Sequence, residues 1–305
     1  MKARTPLLMG PLFMVLLGRV FFIGPPAYAK HPVDPGNTIK VFVSILPQVY
    51  FVKRVGGERV DIAVMVGPGH SPATYEPVPK QMAELSKAKL YFRIGVPFEN
   101  AWMHRLSKAN PNMKVIDTQR GIELLAMKTH PHGHHAGAHI HGKGLKDPHV
   151  WLSLRRVKVL SKNIYDALVS EDPAHKSFYA DNLNAFHHDL DKMDKGIAEI
   201  LRDLRTRKFM TFHPAWGYFA RDYGLEQVPV EIEGKEPTAR ALGYLIEQAK
   251  KEEIRVVFVQ KQFSKKSAEA VAWSIGGKVI QIDPLAADYL ANMGEIAQAF
   301  SKVMQ

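Results

Sequence analysis

A chain of 305 residues with 46% hydrophobic content exceeds one typical domain and holds enough apolar side chains for two cores. The absence of cysteine excludes disulfides, thiolate metal sites and thiol nucleophiles. The 41 Lys and Arg outnumber the 30 Asp and Glu to give a formal charge of +11, but they are scattered along amphipathic stretches instead of clustering with aromatics, so no nucleic-acid partner is expected.

The chain opens MKARTPLLMGPLFMVLLGRVFFIGPPAYAK, with Lys2 and Arg4 before an apolar run that ends on Ala27-Tyr28-Ala29. This is the layout of a secretory signal with cleavage after Ala29. Arg19 and the Gly24-Pro25-Pro26 break keep the apolar run shorter than the roughly 18 residues a membrane helix needs, so export is favoured over an anchor. Removing residues 1–29 takes away Lys2, Arg4 and Arg19 and lowers the charge from +11 to +8. The mature protein is expected in the periplasm.

Residues 39–46, 61–66, 89–95 and 114–117 read as short buried strands, with helices starting near Pro47, Pro79 and Pro97. Such alternation predicts a parallel sheet in an α/β fold. The run HPHGHHAGAHIHGKG (130–144) then interrupts, its glycines and lack of apolar content marking a mobile loop. The second half repeats the pattern: strands at 208–212, 227–232, 255–260 and 278–283, helices near Pro214, Pro237, Lys265 and Asp288.

Between the halves lies DPAHKSFYADNLNAFHHDLDKMDKGIAEILRDLR. Leu183, Phe186, Leu190, Met193, Ile197, Ile200 and Leu204 recur at spacings of three and four, one face of a helix. Asp172 before Pro173 supplies a start signal. A helix over 173–204 would run about 48 Å at 1.5 Å per residue, a strut joining two lobes. His187 and His188 are expected on its surface. The expected division is therefore a first lobe over 30–171, a linking helix over 172–206 and a second lobe over 207–305.

Four polar positions share a topological feature. His70 follows the strand at 61–66, His149 sits in DPHVW after the histidine run, His213 ends the strand at 208–212, and Asp283 ends that at 278–283. Open α/β sheets bind ligands beyond the carboxyl ends of their strands, and two facing lobes would bring these positions into one cleft. Three imidazoles and a carboxylate suit four-coordinate Zn²⁺; Mn²⁺ usually takes more oxygen. Each residue also has a structural reading. His213 can start a helix with Pro214, Asp283 can cap the segment at Pro284, and His149 can pack half-buried beside Trp151.

The stretches GPGHSPATYEPVPKQM, RIGVPFENAW, DPHVWLSL, TFHPAWGYFARDYGL, EGKEPTAR, QKQFSKKSAEAVA and IDPLAADYL follow one another over residues 67–290. In them the chain resembles the zinc-binding (cluster A-I) solute-binding proteins of bacterial ABC metal importers, over essentially its whole mature length. The resemblance implies two lobes bridged by one long helix, metal-ligand roles for His149, His213 and Asp283, and a histidine-rich loop. It also implies a transported Zn²⁺ and an ABC importer membrane permease as partner. The related manganese branch generally has Glu where His213 stands, which places Mn²⁺ second. One departure concerns the first loop, where the family pattern S-P-H-x-Y meets Ser71-Pro72-Ala73-Thr74-Tyr75. Either His70, three positions earlier, replaces the ligand missing at Ala73, or three protein ligands share the metal with water. The expected ligand is His70.

A glycine-rich loop loses much conformational entropy on adopting one geometry, so it suits a tight exclusive site poorly. His130, His132, His134, His135, His139 and His141 are expected to be accessory zinc ligands, with a solvated loop of incidental metal affinity as the alternative. A hydrolase is disfavoured: HPHGHH places His134 where the H-x-H-x-D-H pattern needs Asp, and H-E-x-x-H is absent. No enzyme activity is expected, and the protein is expected to be a monomer. A metal-buffering or adhesin homologue would share the fold. Deleting residues 130–144 should leave one tight zinc site intact, as counted by calorimetric titration of the shortened chain.

Overall fold

The first strand, β1 (Ile39–Ile45), is buried from Val41 onward on both faces, as a central parallel strand must be. It belongs to a computed structural model that describes residues 38–127, 146–231, 237–263 and 265–305. The expected signal peptide, 1–29, and the histidine run, 130–144, lie outside the described residues, as does EGKE (233–236). Pro47 sits in the first turn of α1 (Leu46–Gly56), where its fixed φ and missing N–H cost nothing. There follow β2 (Val60–Val66), α2 (Pro79–Leu85), β3 (Leu90–Arg93), α3 (Pro97–Ala109) and β4 (Lys114–Asp117). All pairings are parallel, in the order β2-β1-β3-β4.

The strand expected over 89–95 stops at Arg93. The Glu99 carboxylate accepts the N–H groups of Ile94 and Gly95 at 2.8 Å each, and Gly95 turns the chain with φ of 77°. Those N–H groups are thus lost to the ladder.

Two long helices come next, α4 (Leu154–Glu171) and α5 (Lys176–Ile200). Ser153 caps α4, its Oγ accepting from Arg156 N at 3.2 Å. The linking helix is shorter than expected. Pro173–His175 forms a separate 3₁₀ turn, leaving α5 with 25 residues, or about 38 Å. Its predicted apolar face is buried at Leu183, Phe186, Leu190, Met193 and Ile197. His188 is exposed, but His187 is half-buried, its Nε2 2.9 Å from Ser161 Oγ on α4.

The second lobe comprises β5 (Lys208–Thr211), α6 (Gly217–Asp222), β6 (Glu226–Pro229), α7 (Ala239–Lys251), β7 (Val256–Gln260), α8 (Lys265–Ser274), β8 (Lys278–Ile282) and α9 (Tyr289–Met304). Its parallel sheet has the order β6-β5-β7-β8, the same as in the first lobe. Although β6 ends before the expected 232, Val230 N and Glu231 N still donate to Thr211 O and Phe212 O at 2.8 and 3.0 Å. Those two bonds tie the bend after β6 to the end of β5.

One hydrophobic core runs from the first sheet through α5 to α9 and the inner face of the second sheet, where Phe258 and Phe300 stack 4.1 Å apart. A second core, including Met210, Val257, Val259 and Val271, covers the other face. Polar bonds fasten the segment before α4 to the second lobe: Trp151 Nε1 to Pro284 O (2.8 Å), Tyr289 OH to Trp151 O (2.7 Å) and Tyr218 OH to Asp147 O (2.8 Å). Arg156 Nη1 reaches Asp222 Oδ1 at 2.9 Å.

At the start of α5, Asp172 accepts from Arg59 Nε (2.9 Å) and Tyr179 OH (2.7 Å), with His175 Nδ1 at 2.7 Å. Burial alone would raise its pKa, but the bonds from His175, Tyr179 and Arg59 and the charge of Arg59 together hold it below the usual carboxylate range. Asp172→Asn should cost about 1–3 kcal/mol at neutral pH, measured by urea unfolding. The wild-type advantage should persist above about pH 4 and vanish as pH falls through the lowered pKa, where the wild-type carboxyl also becomes neutral.

Candidate metal centre

Two histidines meet where the lobes join. His149 is placed by an Asx turn: Asp147, before Pro148, accepts the His149 backbone N–H on Oδ1 at 2.9 Å. The same Oδ1 takes His149 Nδ1 at 2.7 Å. Both residues are buried, above the 3₁₀ turn Val150–Leu152. Gly217, opening α6, allows a close approach here, because a Cβ on it would stand 2.8 Å from Asp147 Oδ2.

His213 is placed by sheet register. Thr211 pairs with Pro229 on β6 and with Phe258 on β7. Two residues further on, His213 falls between Glu231 and Gln260. Glu231 Oε1 accepts from Nδ1 at 2.6 Å, and Gln260 Nε2 donates to the His213 carbonyl at 2.8 Å. Phe263 stacks on the imidazole, centroids 5.2 Å apart.

A carboxylate accepts and does not donate, so each neutral ring carries its hydrogen on Nδ1 and a bare lone pair on Nε2. These two Nε2 atoms lie 3.2 Å apart. Tetrahedral zinc with Zn–N bonds of 2.0–2.1 Å requires about 3.3–3.4 Å between ligand nitrogens. Lone pairs held at this distance repel, and a cation between them turns that repulsion into coordination. Burial lowers the His149 pKa despite the raising influence of Asp147, which keeps the ring neutral and able to bind metal at physiological pH. Carboxylate–imidazole pairs of this kind orient metal-ligating histidines and increase their basicity.

The structure does not bring His70 and Asp283 to this pair. His70 is exposed on the turn-rich loop after β2, its ring edge-on to Tyr75 at 5.6 Å. It borders a pocket of about 450 Å³ lined also by Met65, Ser71, Glu76 and Gln81. Asp283 Oδ1 accepts from Leu285 N at 2.9 Å, while Oδ2 lies 3.3 Å from Lys261 Nζ. Among the described residues, no three His, Asp or Glu side chains form a group that could hold a metal. The six loop histidines lie outside the described residues.

Asp147, Glu231 and Gln260 were absent from the expected site. The D-P-H sequence carried a signal for Asp147, as an Asx-turn residue two before a histidine. Glu231 and Gln260 could be found only through strand register.

Two parallel α/β lobes packed on one long helix, with an oriented imidazole pair where they meet, define a two-lobed metal-binding protein. Residues 41–303 match the family described as zinc-uptake complex component A, periplasmic, and the chain belongs to it. It is similar to a crystal structure of ZnuA, with 42% identity and a TM-score of 0.81 over 88% of this chain and 100% of the other. A zinc-bound ZnuA lacking residues 138–173 of its own chain aligns at 41% identity and TM-score 0.81, over 88% and 98%. The high-affinity zinc uptake system protein ZnuA of Bacillus subtilis is 29% identical over 82% of this chain and 79% of its own length. The manganese ABC transporter substrate-binding lipoprotein PsaA of Streptococcus anginosus is 26% identical over 87% and 85%.

Glu231→Gln should weaken Zn²⁺ binding by about 10–100-fold in chelator competition without lowering the thermal midpoint of the metal-free protein appreciably. Gly217→Ala should weaken binding in the same assay by displacing Asp147, with no ligand changed.

Proposed function

We propose that the protein captures Zn²⁺ outside the cytoplasm and delivers it to the membrane permease of an ABC importer. The observation that carries this reading is the His149–His213 pair, Nε2 atoms 3.2 Å apart and each Nδ1 bonded to a buried carboxylate. Zinc enters as cargo and is met first by these two nitrogens, which lie on parts of the chain fastened together by Trp151, Tyr218 and Tyr289. Asp283 and His70 complete the four-coordinate set. His70 does so in place of Ala73, whose methyl group cannot coordinate.

Three nitrogens and one oxygen suit zinc better than manganese. Four protein ligands leave no open position for a hydrolytic water, which favours a binding protein over an enzyme. The loop histidines act as accessory ligands that gather zinc for the tight site. The protein is exported on a cleavable signal, residues 1–29, and works as a monomer, with lobes at 30–171 and 207–305 about the link at 172–206. No described helix is long and apolar enough to cross a membrane.

The polar bonds between the lobes favour a capture step in which the His70 loop and the Asp283 side chain move while the lobes keep their relation. His149→Ala and His213→Ala should each weaken Zn²⁺ by well over the roughly 100-fold that loss of an outer partner costs, with His70→Ala and Asp283→Asn giving smaller losses. Chelator competition on the mature protein checks this; wild-type affinity in either of the first two variants would end the reading. Because protons compete for the imidazoles, affinity should fall as pH drops through the imidazole range.

A further inference from the structure

We propose that Lys261 is an internal counter-cation whose ammonium holds the Asp283 carboxylate until a divalent metal displaces it, and so sets how fast bound metal leaves. The inference rests on the reading of Asp283 as a ligand. Strand register makes the two residues permanent neighbours: Gln260 on β7 pairs with Ile282 on β8, and each of these is followed by one member of the pair. Parallel neighbours stand about 4.8 Å apart, so the side chains meet without any loop having to fold around them. Lys261 Nζ lies 3.3 Å from Asp283 Oδ2.

The two partners differ in freedom. Asp283 is anchored, with Oδ1 on Leu285 N at 2.9 Å and its carbonyl on Asn292 Nδ2 at 2.7 Å. Its side chain is 16% exposed, against 61% for Lys261. The ammonium can therefore swing into water with its hydration largely kept, which releases the carboxylate oxygen it holds for a metal. A half-exposed pair of this kind is weak, worth at most about fivefold in an equilibrium. It competes measurably with a dication without blocking it.

The same strand end bears on His213, since Gln260, immediately before Lys261, holds its backbone carbonyl. Through its contact with Asp283, the ammonium also repels a dication bound to that carboxylate and favours its departure. Lys261 reduces affinity and hastens release, as delivery to a permease requires. It acts through Asp283 and coordinates nothing.

The test measures Zn²⁺ affinity by chelator competition, and release rate by stopped-flow transfer to a chromogenic chelator. It uses the wild-type protein, Lys261→Met, Lys261→Arg, Asp283→Asn and the double variant. Lys261→Met should tighten binding by about two- to fivefold, chiefly through slower release, and the gain should shrink as salt is added. Lys261→Arg should stay close to wild type, and in the Asp283→Asn background the gain should disappear. Should Asp283→Asn weaken binding while Lys261→Met changes nothing, the counter-cation role is overturned and the ligand set stands. A gain of equal size in the double variant would overturn it as well, as a general charge effect. If Asp283→Asn leaves Zn²⁺ binding intact, both the ligand role of Asp283 and this inference fall.

Discussion

Two imidazole lone pairs held face to face are an unfavourable arrangement in the absence of a cation, and the rest of the molecule is organised to maintain it. The carboxylates of Asp147 and Glu231 keep the hydrogens on the far sides of the rings. The repulsion is borne by the packing beneath. Trp151 and Tyr289 bond to backbone carbonyls across the lobe junction, and one hydrophobic core is continuous through both lobes. The rings are held in place by their carboxylate partners, and the backbone that carries them by the packed lobe junction.

The two lobes share a strand order, yet they treat equivalent positions differently. In the first lobe the crevice between β1 and β3 is filled. Ser44 Oγ lies 2.6 Å from Glu99 Oε1 and 2.8 Å from Tyr91 OH, and Gln48 Nε2 donates to Phe92 O. Burial raises the Glu99 pKa against the opposing pull of Ser44, Ile94, Gly95 and Arg93. These buried groups satisfy one another. In the second lobe the corresponding strand ends carry Glu231, His213 and Gln260 side by side, with the His213 Nε2 turned to His149 across the junction. The first lobe closes its crevice and contributes Asp147 and His149 from the segment before α4, while the second presents His213 and Glu231 from its strand ends.

Electrostatically, the site stores negative charge without exposing it. Two buried carboxylates stand behind the imidazole rings, so an arriving dication gains their field without first displacing water from them. Asp283 is handled differently, since its partner is a solvated lysine and not an imidazole.

Much of the fold was legible in the amino-acid order, because hydrophobic periodicity and proline placement are local signals. The eight strands, their parallel arrangement, and the apolar face of α5 all follow from residues close together in the chain. Local patterns predicted boundaries less well: the Glu99 carboxylate ended β3 early, and Pro173 split the linking helix. His149 and His213 were visible as candidates because each sits beside a turn or at a strand end. Their apposition was not visible, since they are 64 residues apart. Glu231, Gln260 and Lys261 acquire meaning only from which strand lies next to which. Local chemistry along the chain determined what could bind a metal and roughly where. Sheet register and inter-lobe packing decided which of those groups stand together, because distances between residues remote in sequence are set only when the whole core closes.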